Sequence, residues 1–233
     1  MKPYGQFCPL AQATQLLCER WTLIIVRELM AGSTRFGELH NGAPLLSPTL
    51  LSLRLKQLIK AGVVEQCKGA AGPTYHLTPS GCELRPIVEG LGAWGQRWVP
   101  STLTDDDLDA SLLMWDIRRT VDADAFPRHR VVLAFEYPDA AEGAQRWWLV
   151  SEQGDIDLCL IDPGYEVDLL IRCPLKTMTA VWTCQRGLDE AVHSRDIDIK
   201  GDAVLARSLQ AYLRGSALSR LGARTPVSEA SDA

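Results

Sequence analysis

Apolar residues in the first sixty positions recur at helical spacing. From Trp21 to Met30 the chain carries Trp21, Leu23, Ile24, Ile25, Val26 and Leu29. That density predicts a largely buried helix, with Arg27 and Glu28 on its wet side. Pro9 fits the first turn of a preceding helix that runs to about Cys18, and Gly32 with Ser33 ends the second one. A short helix from about Gly37 to Asn41 follows, with Phe36 and Leu39 pointing inward. In the stretch 47–62, Leu51, Leu55 and Leu58 fall at i, i+4 and i+7 and predict one apolar helix face. Ser47 suits the N-cap, Pro48 the first helical position and Gly62 the left-handed stop. The other face offers Thr49, Ser52, Leu53, Lys56 and Gln57, with Arg54 on its flank.

The period then shortens. Val63 to Cys67 reads as a strand, Lys68 to Pro73 as a loop and Thr74 to Leu77 as a second strand. Gly69, Gly72 and Pro73 supply the turn chemistry of a hairpin. Beyond it, Thr78 can cap a helix from Pro79 to about Trp98 in which Leu84, Ile87, Leu91, Trp94 and Trp98 form a seam suited to pairing two helices. Pro86 falls inside and should kink this helix or split off its first turn. Gly90 to Gly95 formally matches the dinucleotide fingerprint G-x-G-x-x-G. The residues before it have helical periodicity and no βαβ unit surrounds it, so it reads as a thin helix surface rather than a pyrophosphate site.

Residues 100–104 read as a linker, and Thr104 as the cap of a helix from Asp105 to about Thr120 with Leu108, Leu112 and Trp115 on one face. Alternation at Val131–Phe135, Arg146–Val150, Ile156–Leu160, Val167–Ile171 and Ile197–Ile199 predicts five strands of a mainly antiparallel sheet. Leu175–Trp182 and Ala203–Leu213 read as helices covering it, and the Ser, Ala and Gly-rich tail from about Arg214 as a fraying end. The expected fold class is α+β: a mainly helical N-terminal unit with a β-hairpin, then an α/β unit. The expected domains are 1–100 and 101–214, with a flexible tail over 215–233.

Charge sharpens this division. The chain of 233 residues has a net charge of −5, yet residues 1–100 hold four Lys and six Arg against six Glu and no Asp, a net of +4. The remainder holds 14 basic and 23 acidic side chains, a net of −9. Only the first half tolerates a polyanion. Seven cysteines without a C-x-x-C pair suit reduced thiols in a cytoplasm, and the four histidines have no zinc-site spacing. No apolar run approaches the ~18 residues that span a bilayer, and the first residues lack the apolar core of a secretory signal. No cofactor and no membrane partner is expected. No nucleophile–base set or phosphate loop points to an enzyme.

Helices, capped polar-faced helix and hairpin, in that order, make a winged helix-turn-helix. The segments Cys8-Pro9, Glu19-Arg20-Trp21-Thr22, Arg35-Phe36 with Glu38-Leu39, Leu46-Ser47-Pro48 to Gly62-Val63, Tyr75 to Gly81 and Trp94 to Trp98 resemble the HxlR-type winged helix domain. The resemblance, covering roughly residues 5–100, implies a homodimeric, MarR-related transcriptional regulator, expected to be a repressor, whose helix at 47–61 enters the major groove of double-stranded DNA. It departs from the family at Thr49, Leu53 and the cation-poor wing. The DNA-binding candidates are Arg35, Ser47, Thr49, Ser52, Leu53, Arg54, Lys56, Gln57, Lys68 and Thr74. The implied dimer interface is Phe7, Leu10, Leu84, Ile87, Leu91, Trp94 and Trp98.

The second half resembles sterol-carrier-protein-like domains, through Asp155–Cys159, Asp162–Asp168 and Ile199–Asp202. That implies a hydrophobic small-molecule effector in a pocket lined by Trp115, Phe135, Trp148, Leu158, Leu160, Leu169, Ile171 and Trp182. Two alternatives stay open. One is a thiol-redox regulator using Cys8, which stands at a helix N-terminus; the other is a lipid carrier whose winged helix only dimerises.

Overall fold

The computed structural model describes residues 4–69, 72–99, 103–104 and 107–221. The chain divides into two compact units between Leu91 and Gly92, inside a helix rather than at the expected linker 100–104. Residues 100–102 of that linker, Ala70 and Ala71 of the wing, Asp105, Asp106 and residues 222–233 of the tail lie outside the described residues.

The first unit opens with helices α1 (Pro9–Leu17), α2 (Thr22–Met30), α3 (Phe36–Asn41) and α4 (Pro48–Lys60), followed by strands β1 (Val64–Gly69) and β2 (Gly72–Leu77). Leu51, Leu55 and Leu58 of α4 are buried with Ile25, Val26, Leu39 and Leu46 in one core. Removing each such side chain from water contributes roughly 1.5–3 kcal/mol. At the start of α4, Ser47 Oγ accepts from the Leu50 N–H at 3.3 Å. At its end, Gly62 adopts φ +72°, a left-handed conformation that costs glycine least. The expected helix over 79–98 is two: α5 (Pro79–Cys82) and α6 (Arg85–Trp98), with Pro86 in the first turn of the second.

Glu28 corrects the wet-side expectation. It is fully buried, and Arg27 reaches back to it, Nη2 donating to Oε1 at 2.6 Å and to the Gly42 carbonyl at 3.0 Å. The same guanidinium thus grips α2 and the C-cap of α3. Periodicity placed Glu28 outside because it cannot see the backbone that α3 brings over it.

In the second unit, α7 (Ala110–Thr120) is capped by Asp109, whose Oδ1 accepts from Ser111 N and Leu112 N, not by Thr104. Its buried stripe is Ala110, Leu113, Met114 and Ile117 rather than Leu108, Leu112 and Trp115. The sheet contains β3 (Val131–Glu136), β4 (Arg146–Glu152), β5 (Asp155–Cys159), β6 (Leu169–Arg172) and β7 (Asp198–Gly201). Its order is β5-β4-β3-β6-β7, and it is mixed, since β3 and β6 run parallel while the other pairs are antiparallel. Leu160 and Val167 therefore lie outside the strands, both exposed. Asp168 fixes the parallel junction, its Oδ2 accepting from Val132 N at 2.8 Å. Gly201 sits beside it at φ +132°, where a Cβ would overlap the Asp168 carbonyl oxygen.

Helices α8 (Leu175–Trp182), α9 (Leu188–His193) and α10 (Ala203–Tyr212) complete the unit, α9 having no counterpart in the sequence reading. The expected flexible tail is helical at its start, as α11 (Ala217–Leu221), with Ser219 buried. One face of the sheet packs Leu133, Phe135, Leu149, Leu169 and Ile171 with Met114, Met178 and Trp182 into a continuous core. Within it the Tyr137 hydroxyl donates to Met114 Sδ at 3.1 Å, and burial raises the phenol well above its ordinary range. Burial, with the nearby Asp139 charge, pushes the Cys173 thiol up to about 12.

Candidate nucleic-acid interface

Helix α4 presents its outward side as the pattern requires. Thr49, Leu53, Lys56 and Gln57 are exposed and Ser52 is half-buried. Leu53 remains 48% exposed, a large apolar side chain facing water among polar ones. Apolar groups in that setting contact thymine methyls when such a helix lies in a major groove. Ser47 is exposed but committed to its cap.

Arg54 differs from the expectation of a base or phosphate contact. Only 8% exposed, it turns inward. Its Nε donates to the Arg20 carbonyl at 3.1 Å, Nη2 to Glu19 Oε2 at 2.7 Å and Nη1 to Gln57 Oε1 at 2.8 Å. All three nitrogens are committed inside the protein, which follows from the segment 19–20 approaching α4. The Glu19-Arg20 segment carried the clue, but spacing alone does not bring position 19 to position 54.

The wing follows directly. β1 and β2 pair antiparallel from Val64–Leu77 to Gly69–Gly72. Lys68 is exposed near the tip, while Thr74 is half-buried and within 3.0 Å of His76 Nε2 through its hydroxyl. The hairpin is anchored at both ends. Tyr75 N donates to the Thr34 carbonyl at 2.8 Å, and Arg35 bridges Thr74, so the residue before α3 acts as a third, one-bridge strand. Glu38 Oε2 accepts from Thr34 N and Arg35 N at 2.8 and 2.9 Å, which leaves the Arg35 side chain exposed. At the other end Thr78 Oγ1 donates to the Gly62 carbonyl at 2.6 Å, tying the exit of the wing to the exit of α4. Helix, wing and loop are thus fixed relative to one another by backbone and side-chain hydrogen bonds.

The dimer candidates fall into two groups. Phe7 (96%), Leu10 (70%), Ile87 (55%), Leu91 (51%), Trp94 (57%) and Trp98 (59%) are exposed large apolar side chains. Leu84 instead packs on the core of the first unit, so the seam begins at Ile87. Cys8 is exposed at the N-cap of α1.

The eight effector-pocket candidates do not converge. Phe135, Leu169, Ile171 and Trp182 are core, and Leu158 packs against that core. Trp148 lies on the opposite face with Val132, Ala134 and Val150, because it pairs with Ala134 rather than with Phe135. Leu160 is exposed, and Trp115 is half-buried with the Arg118 guanidinium 5.3 Å from its ring. A cavity of about 520 Å³ opens beside β4 and β5, lined by Arg130, Glu152, Asp155, Asp157, Cys159 and Tyr165 among others; none of the eight reaches it. Its wall mixes Arg130 and three carboxylates with Val150, Pro163 and Tyr165, unlike a wholly apolar tunnel. Among the described residues no helix is long and apolar enough to cross a membrane.

Residues 16–103 match the family model described as HxlR-like helix-turn-helix, so nearly all of the second unit lies beyond it. The HTH-type transcriptional regulator YvaP of Bacillus subtilis is 36% identical over 105 residues, covering 43% of this chain and 97% of YvaP. YodB of the same organism, also an HTH-type transcriptional regulator, is 33% identical over 95 residues, covering 39% of this chain and 85% of YodB. The structure of YodB in its reduced form aligns with 40% of this chain and 96% of its own at 31% identity, with a TM-score of 0.36. With capped helix and anchored wing in the order the sequence sets, and YvaP matched over almost its whole length, this chain belongs to the HxlR-like helix-turn-helix family of transcriptional regulators.

Proposed function

We propose that the protein is a cytoplasmic, homodimeric repressor that lays α4 in the major groove of an operator and sets its wing on the flanking phosphates. The observation that carries the reading is the outward face of α4, where Thr49, Lys56, Gln57 and Leu53 stand exposed on a helix whose other side is locked in the core. Arg35, Lys56 and Lys68 are exposed cations beside that face, and they serve the phosphates. Three per protomer gives about six phosphate contacts per dimer, so log K should fall against log salt with a slope of about −5. Fluorescence anisotropy on a duplex selected from random sequence measures it. Lys56→Ala should flatten the slope by about 2, one contact per protomer; a wild-type protein that selects no duplex at all would refute the reading.

Dimerisation uses the exposed faces of α1 and α6. Side chains as large as Ile87, Leu91, Trp94 and Trp98, each more than half exposed on one helix face, are the kind of patch that a second copy covers. Trp94→Glu should sediment as a monomer and lose operator affinity. The second unit, nearly all of it outside the family match, takes the effector; the Arg130, Glu152, Asp155 and Asp157 charges in its cavity favour a polar ligand over the apolar one expected from the sequence.

Thiol control through Cys8 is a second reading, favoured by one observation. The thiol is exposed one residue before α1, beside Phe7 and Leu10 of the proposed pairing surface, so an adduct there would act on the dimer. Diamide should release DNA from the wild type and leave Cys8→Ser bound.

A further inference from the structure

The internal use of Arg54 has a consequence for the base sequence that α4 reads. A guanidinium carries donors only, so the Gln57 atom 2.8 Å from Arg54 Nη1 must be the amide oxygen. Glu19 and the Arg20 carbonyl hold the guanidinium in place, and with its side chain 10% exposed it has little room to rotate. Gln57 itself is exposed on the same face as Leu53, one turn earlier. Its oxygen is therefore drawn toward the protein and its NH₂ group turned outward.

We propose that Gln57 is a specificity-determining residue that reads its base pair as a donor alone, and that Arg54, clamped by Glu19, is the positioning residue that makes it so. This rests on the reading of α4 as the helix in the groove. A free glutamine recognises adenine with both ends, the oxygen accepting from N6 and the nitrogen donating to N7. With the oxygen taken, the adenine pair loses one of its two bonds and sets its N6 donor against another donor. The edges that suit an outward NH₂ are those rich in acceptors: guanine, through N7 and O6, and thymine, through O4. Cytosine, which offers only its N4 donor, is the base most strongly rejected.

The test is selection from a randomised duplex by the full-length wild type, Gln57→Ala, Gln57→Glu and Arg54→Met, each first checked for cooperative thermal unfolding. The position that loses preference in Gln57→Ala identifies the base pair. There the wild type should favour guanine or thymine over adenine and cytosine by about tenfold. Gln57→Glu keeps an oxygen on Arg54 and turns a second one outward, so preference should move to the donor edges of cytosine or adenine. Arg54→Met frees the amide and should move preference to adenine. A merely structural role for Arg54 would weaken binding to every sequence alike, and that result overturns the proposal. So does a Gln57→Glu motif identical to that of the wild type, which stands even if Arg54→Met fails to fold. A wild-type protein that selects no motif removes the DNA-binding reading and this proposal together, whereas an unmoved motif removes only the proposal.

Discussion

Gly42→Ala tests whether the buried Glu28 is what sets α3 against α2. Gly42 has φ −78° and needs no glycine for its backbone conformation; it needs one for space. A Cβ there would overlap the Glu28 carboxylate, which is fully buried, and would lie 2.7 Å from the Oε1 that Arg27 grips. The clash has two ways out. Pushing the carboxylate off Arg27 would cost about 3–5 kcal/mol in a fully buried pair. Arg27 is 28% exposed, which favours the lower end, about 3 kcal/mol. Shifting the backbone at the end of α3 instead costs about 1–3 kcal/mol, as for other overpacked sites. The molecule takes the cheaper route, so the loss should be about 2 kcal/mol, with about 3 as the ceiling. Against a typical total of about 5–15 kcal/mol, this is readily seen in urea unfolding as a lower midpoint at unchanged m-value. Glu28→Ala in the Gly42→Ala background opens the space, so the double mutant should be more stable than additivity predicts by at least about 1 kcal/mol. Stability of Gly42→Ala within about 0.5 kcal/mol of wild type, the range of an ordinary surface change, would refute the packing account.

Two further outcomes follow from the second unit. Cys173, buried and raised to about 12, should resist iodoacetamide at neutral pH in the folded protein, while the exposed Cys8, Cys18, Cys67 and Cys82 are labelled; peptide mapping showing native labelling of Cys173 would contradict its burial. Asp202 caps α10, and the N–H groups of Leu205 and then Val204 hold its carboxyl below the ordinary 3.8. A depressed folded-state pKa contributes stability that is present above the unfolded value and lost as pH falls through the folded one. The stability difference between wild type and Asp202→Asn, which caps without titrating, should therefore be constant above about pH 5 and shrink below about pH 4. A difference independent of pH down to acid unfolding would rule out that role.

Much of the first unit is legible in the chain because its signals are local. Ser47, Pro48 and Gly62 mark the ends of α4, and the Leu51, Leu55, Leu58 stripe marks its inner side. The glycines and Pro73 mark the wing, and Pro86 the break between α5 and α6. The seam at Ile87, Leu91, Trp94 and Trp98 reads equally as core or interface from spacing alone; exposure separates the two. In the second unit alternation locates five strands but not their partners. Pairing of β3 with β6 joins segments more than thirty residues apart, and it is the β3–β4 register, with Trp148 opposite Ala134, that puts Trp148 and Phe135 on opposite faces.

What the sequence determined by itself, then, is the order of the elements in the first unit, the ends of α4 and its polar face, because these depend on neighbours within a turn or a strand. What tertiary structure decided is which polar groups are available. Arg54 looks like a reader of DNA on its helix and is an internal brace once Glu19 and Arg20 arrive beside it. Glu28 looks solvated on its helix and is buried once Gly42 closes over it. A helical period fixes where a side chain points, but the availability of a charge depends on what the rest of the chain brings within about 3 Å of it.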